Sequence, residues 1–137
     1  MLTNGVEFLE RVEALTRLAP SLDNFVGDRD DRVIEYRIEN GFAIGVGQVN
    51  DLDCAIQKVF LSGCGSVFPE HTHDEHEYII IITGEGSVTV SGEERRFKPF
   101  DCIIIPPKAE HSFVFKTNTI MIAITVPASK GFPSGKG

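Results

Sequence analysis

The sequence predicts an all-β domain, an antiparallel sandwich or barrel, preceded by one amphipathic helix. Three observations carry this. Beyond Arg32 the chain breaks into roughly nine short runs of β-prone residues. Tight-turn signals separate several of them, at Asn40-Gly41, Ser91-Gly92-Glu93 and Thr117-Asn118. The one helical periodicity lies at the N-terminus, where Phe8, Leu9, Val12, Leu15 and Leu18 or Ala19 recur at spacings of three and four.

Taken in order, the helix has Asn4 as N-cap, Glu7 in the capping-box position and Pro20 as its stop. Its apolar stripe must be buried against the outside of a sheet or a partner subunit. Residues 23–32, with Asp28, Asp30 and Asp31, read as a solvated loop, because they lack the spaced ligands and closing Glu of a calcium loop. Strands are expected near 32–38, 42–49, 54–62, 76–83, 86–91, 94–98, 101–105, 112–116 and 119–126. The unbroken run Ile79–Ile82 predicts a strand buried on both faces. Residues 128–137, rich in Gly, Ser, Pro and Lys, are expected to be a disordered tail. The expected organisation is a helix over 1–20, a β-barrel over 32–127 and a tail over 128–137.

Composition narrows the function. At 137 residues the chain fits one domain, and 42% apolar with 24% charged residues is ordinary for a globular protein. A net charge of -7 gives no electrostatic footprint for nucleic acid or an anionic membrane. No apolar stretch approaches the ~20 residues that span a bilayer. The acidic N-terminus lacks the features of a signal peptide, so a cytoplasmic location is expected. Cys54, Cys64 and Cys102 are scattered and odd in number, and read as buried small hydrophobes rather than a redox pair.

The chemistry lies in the histidines. Three of the four fall in His71-Thr72-His73-Asp74-Glu75-His76-Glu77, and the fourth is His111. Neutral imidazole is a common metal ligand at pH 7. In an extended segment His71, His73 and Glu77 share one face, so two imidazoles and a carboxylate can converge inside a barrel. Glu75 has the same parity and is the other candidate oxygen donor, whereas His76 points away and reads as a surface residue. His111 can close the site from across the barrel. Three imidazoles and a carboxylate suit iron, manganese, nickel, cobalt or zinc, and an octahedral ion would keep two open positions.

The spacing Gly65-x5-His71-x-His73-x3-Glu77-x6-Gly84 resembles the first cupin motif at every defined position. Residues 83–93 resemble the hairpin that follows it. The second cupin motif is partly met: Asp101, Pro106 and His111 match, while Phe100 and Lys108 stand where it has glycine and Phe115 where it has asparagine. The resemblance covers residues 42 to 126. It implies a double-stranded β-helix (jelly-roll barrel) in which His71, His73, Glu77 and His111 hold one divalent metal ion. It also suggests a homodimer, with Tyr78, Ile80 and Ile82 facing outward.

What such a protein does follows as expectation. Gln57 or Lys58 must face the cavity, and Gln57 is the natural substrate contact, with Lys58 exposed. Ile79 shares the Glu77 face and narrows the cavity. Phe113 and Phe115 share the parity of His111, as an apolar pocket beside the metal or as barrel core. The first reading is a metal-dependent enzyme acting on a small oxygen-rich organic molecule, dioxygenase-like before isomerase, decarboxylase or lyase. The second is a non-catalytic module that binds or senses a small ligand.

Overall fold

The computed structural model describes residues 29–36, 38–41, 43–51 and 54–127. The expected helix over 1–20 and tail over 128–137 lie outside the described residues. Those described form ten strands and no helix: β1 (Arg29–Tyr36), β2 (Ala43–Asp51), β3 (Cys54–Leu61), β4 (Ser66–His71), β5 (His76–Thr83), β6 (Gly86–Val90), β7 (Glu93–Phe97), β8 (Cys102–Ile105), β9 (His111–Phe115) and β10 (Thr119–Val126). They build two antiparallel sheets, β1-β2-β3-β10-β5-β8 and β4-β9-β6-β7. Among the described residues no helix is long and apolar enough to cross a membrane.

Side-chain alternation fixes which face of each strand is inside. Along β10, Thr119, Met121, Ala123 and Thr125 are buried, while Ile120, Ile122 and Ile124 are half-buried on the outer face. On β5 the isoleucine run divides the same way, Ile79 and Ile81 inward, Ile80 and Ile82 outward. The inner faces meet in one core, with Leu61, Ile81 and Ile105 from the larger sheet and Phe97, Phe113 and Phe115 from the smaller. Phe113 and Phe115 stack at 5.6 Å between ring centroids, and Phe97 meets both edge-on at 6.3 and 6.1 Å. Such aromatic burial contributes about 1.5–3 kcal/mol per ring.

Several expectations need correction. The expected strands omit β4, which contains Pro69, a residue that cannot donate to a ladder. It lies at the edge of its sheet, and its register with β9 shifts between Phe68 and His71. Residues 29–32 are not loop but the start of β1, which pairs with β2 from Arg29↔Val49. An edge strand tolerates such charged residues. Cys64 and Cys102 are exposed and Cys54 is half-buried, so none is a fully buried hydrophobe. Cys64 sits in a turn and Cys102 on the outward parity of β8. Lys58 faces outward as expected yet is only 8% exposed.

The two glycine positions of the second motif explain themselves in the backbone. Phe100 and Lys108 have φ of 73° and 65°, the left-handed region where a side chain costs roughly 1–2 kcal/mol. Each is held there by a main-chain bond: Phe100 N–H donates to Ile81 O at 2.6 Å and Lys108 N–H to His73 O at 2.7 Å. Gly84 retains its glycine with φ 106°, and a Cβ there would fall 2.7 Å from Asn118 O.

Candidate metal centre

One end of the barrel collects the ends of three strands that carry the histidines. β4 finishes at His71, β5 begins at His76, and β9 begins at His111. The β4–β9 ladder sets His71 directly opposite His111, with ring centroids 4.1 Å apart. His73 lies in the β4–β5 connection, its ring 4.8 Å from that of His111 and 6.0 Å from that of His71. The Lys108 N–H bond to His73 O ties this connection to the β8–β9 loop. Ligand atoms of His71, His73 and His111 all lie within 4.8 Å of one another, so the trio could hold a metal ion.

Each ring is turned by its own backbone. A carbonyl can only accept, so Nδ1 is the donor in all three: His71 to Pro69 O at 2.9 Å, His73 to Glu75 O at 3.0 Å, and His111 to Ala109 O at 2.9 Å. This fixes the tautomer and aims the Nε2 atoms inward, as an outer-shell partner does for a metal-binding imidazole. Glu77 reaches the same point, with Oε1 2.9 Å from His73 Nε2 and 3.8 Å from His111 Nε2.

The electrostatics separate the rings. His111 is 1% exposed, and burial lowers its pKa to about 4 against a weaker opposing effect of the Ala109 carbonyl, so it is neutral at pH 7. Its Nε2 is buried with no hydrogen-bond partner. Such an orphaned acceptor is costly unless something electrophilic meets it. The pKa of His73 is raised, chiefly by its hydrogen bond to Glu77, with burial opposing. Both its ring nitrogens face acceptors, so in this arrangement a proton sits between His73 and Glu77. The donor set, with its orphaned Nε2, fits a divalent metal ion.

The other expected residues distribute as follows. Gln57 is buried and faces inward, in the row Gln57–Ala123–Ile79 that lies one pleat below Thr125–Glu77–Ile105. Ile79 is buried on the Glu77 face. Phe113 meets His111 edge-on at 6.4 Å, whereas Phe115, two residues deeper, belongs to the aromatic core. Glu75 offers His73 its carbonyl, and it is Glu77 whose carboxylate meets Nε2. His76 is exposed and stacks on Tyr78 outside the barrel. Two residues were missed. Phe68 packs 4.9 Å from the His71 ring, and buried Thr125 stands opposite Glu77 on β10. The alternation of Thr-Ile-Met-Ile-Ala-Ile-Thr could have found Thr125.

Fold and cluster together define a small jelly-roll barrel whose histidine trio could hold a metal ion. Residues 61–127 match the family model described as a cupin domain, and the chain is a small cupin-domain protein. Among solved structures it is similar to an RmlC-like cupin from Shewanella frigidimarina, at 23% identity and TM-score 0.59, covering 71% of this chain and 88% of that one. KdgF from a Halomonas species is similar at 23% identity and TM-score 0.58, again covering 71% and 88%. A predicted oxalate decarboxylase from Thermotoga maritima is similar at 20% identity and TM-score 0.59, covering 75% and 99%. At these identities the likeness speaks for the fold alone. A comparison with curated proteins found no match.

Proposed function

We propose that the protein binds one divalent metal ion through Nε2 of His71, His73 and His111 and the carboxylate of Glu77, and acts as an enzyme on a small oxygen-rich organic molecule. The observation that carries this is the tethering of all three Nδ1–H groups to backbone carbonyls, which leaves the Nε2 atoms and Glu77 Oε1 facing one point. When bound, the metal supplies Lewis acidity and open coordination positions. Three neutral rings and one carboxylate carry a single negative charge, which leaves a divalent site net positive and suited to anionic oxygen donors such as a carboxylate or enolate. Phe68, Phe113 and Ile79 provide apolar walls that exclude water. Gln57 and Thr125 place a carboxamide and a hydroxyl on the inner face to orient the substrate's polar groups. Glu77 and His73 share a proton at Oε1 and Nε2 that has to leave before that nitrogen can serve as a ligand. Among reaction classes a dioxygenase comes first, because histidine and carboxylate ligands with open positions suit ferrous iron. The decarboxylase reading takes its motive from the neighbour so described.

Elemental analysis of the purified, untagged protein beside a His71→Ala/His73→Ala double variant tests the proposal. Near-stoichiometric iron, manganese, nickel, cobalt or zinc in the parent, lost in the variant, is the expected result. No metal in either, even after anaerobic reconstitution, would overturn the metalloenzyme and leave a small-ligand-binding module as the better account.

A further inference from the structure

The walls below the histidines are uneven. Two rows of inward side chains cross the larger sheet there, Ala55–Thr125–Glu77–Ile105 and, one pleat deeper, Gln57–Ala123–Ile79–Ile103. On β5 and β8 the rows carry isoleucines and the carboxylate that meets His73. On β3 and β10 they carry two alanines, a threonine and a glutamine. The smaller sheet is aromatic at this depth. Phe68 and Phe113 are register partners on β4 and β9, inside the pair His71 and His111, with ring centroids 4.9 Å from His71 and 6.4 Å from His111 respectively. The short connection over residues 62–65 folds β4 over from β3, and Phe68 packs against the core that includes Ala123.

Large opposite small is also how an ordinary core interdigitates. Two observations go beyond that. Phe68 stays half-buried beside half-buried His71, whereas Phe113 next to it is 4% exposed, so the Phe68 ring keeps an open side at the metal centre. Thr125 adds a hydroxyl directly opposite Glu77, where packing alone calls for none. We infer that the substrate lies on the β3–β10 side of the site, its oxygen donors toward the metal and a flat, conjugated skeleton between Phe68 and Ala123, an inference that rests on the metal centre proposed above. A π face stacks on a phenyl ring, and an alanine opposite leaves room for it where an isoleucine, as on β5, does not. A two-carbon dicarboxylate would fill the coordination positions and leave this side unused. The substrate class is therefore a planar aryl or enolic oxygen acid, and Ala123, with Ala55 beside it on β3, sets the size that is accepted.

Acetohydroxamate and benzohydroxamate share one metal-chelating head and differ in the group behind it, so the pair tests this on the zinc-loaded full chain. With alanine and isoleucine methyls labelled, the ring protons of bound benzohydroxamate should give nuclear Overhauser contacts to Ala55 or Ala123. By calorimetry, Ala123→Leu should weaken benzohydroxamate about tenfold or more while zinc content and acetohydroxamate binding hold. Phe68→Ala, at a half-buried position, should likewise weaken benzohydroxamate alone, and it decides the matter with the parent's contacts if Ala123→Leu does not fold. Ring contacts only to Ile103 or Ile105, or benzohydroxamate affinity unchanged in both variants, would overturn the inference and leave the metal centre standing. So would zinc-loaded protein that binds acetohydroxamate and refuses benzohydroxamate. Failure of the parent to take up zinc would overturn the metal centre itself, and the inference with it.

Discussion

Replacing His111 with Leu should remove a specific acid sensitivity from the metal-free protein. The unperturbed imidazole value is 6.5, and burial holds His111 at about 4. Between those values the unfolded chain takes up a proton that the folded chain refuses, so this residue's contribution to stability is lost as pH falls through the window. With folded and unfolded values of about 4 and 6.5, the loss at pH 5 relative to pH 7 is about 2 kcal/mol. His73 works in the opposite direction. Its raised value means the folded chain holds a proton more tightly, a contribution present below 6.5 and lost as pH rises through the folded value. Parent and variant share His73, so the difference between them isolates His111. Urea unfolding in the presence of a chelator, at about pH 7 and about pH 5, measures it. The stability gap between the two pH values should differ between parent and His111→Leu by about 2 kcal/mol. If the two proteins show the same gap within about 0.5 kcal/mol, His111 is not a buried neutral imidazole and the argument from its orphaned Nε2 fails.

Metal affinity should fall about tenfold per pH unit once the pH drops below the raised value of His73, because its Nε2 proton must leave. Calorimetric titration with zinc across pH checks this, and Glu77→Gln should move the onset to lower pH. A metal ion at 100 times its dissociation constant should add at most about 2.7 kcal/mol of stability to the parent, reduced by any binding to the unfolded chain. Thermal melts should show that gain absent from His71→Ala/His73→Ala. Phe115→Ala should cost about 3–5 kcal/mol in urea unfolding, since it removes a fully buried ring stacked on Phe113. A loss below about 1 kcal/mol would mean that the ring is not packed as described. Phe100→Gly should stabilise by about 1 kcal/mol, because the ring is 81% exposed and its φ of 73° suits glycine. Metal content should be unchanged in that variant.

The sequence made the site more legible than the strands around it. His71, His73 and Glu77 share a parity that survives in the structure even though His73 lies beyond the end of β4, because backbone carbonyls rather than the ladder orient the rings. β4 itself was hidden by Pro69, whose missing donor argues against a strand unless the strand is known to be an edge. β1 was hidden by Asp30, Asp31 and Arg32, which local composition assigns to a loop and only the pairing with β2 makes a strand. Lys58 shows the same limit from the other side. Its outward parity was readable, but no local pattern reports that it is only 8% exposed. Phe100 and Lys108 show why a motif's glycine can change without moving the chain: main-chain bonds to Ile81 and His73 hold the left-handed turn regardless of the side chain.

The histidine trio is divided unequally along the chain. His71 and His73 belong, with Glu75, His76 and Glu77, to one heptapeptide, whereas His111 arrives only through the β4–β9 ladder. An unfolded chain therefore already carries a local chelator of two to three imidazoles and several carboxylates, before any barrel exists. Metal held by that heptapeptide stabilises the wrong side of the folding equilibrium, so the benefit of added metal saturates below what the native site alone would give. Refolding in excess metal should be slower than refolding followed by loading, because His76 must be released from the ion before β5 can place it outside. The barrel's own contribution to affinity is then His111 and the fixed aim of three rings, and it is this part that distinguishes a folded cup from a histidine-rich peptide.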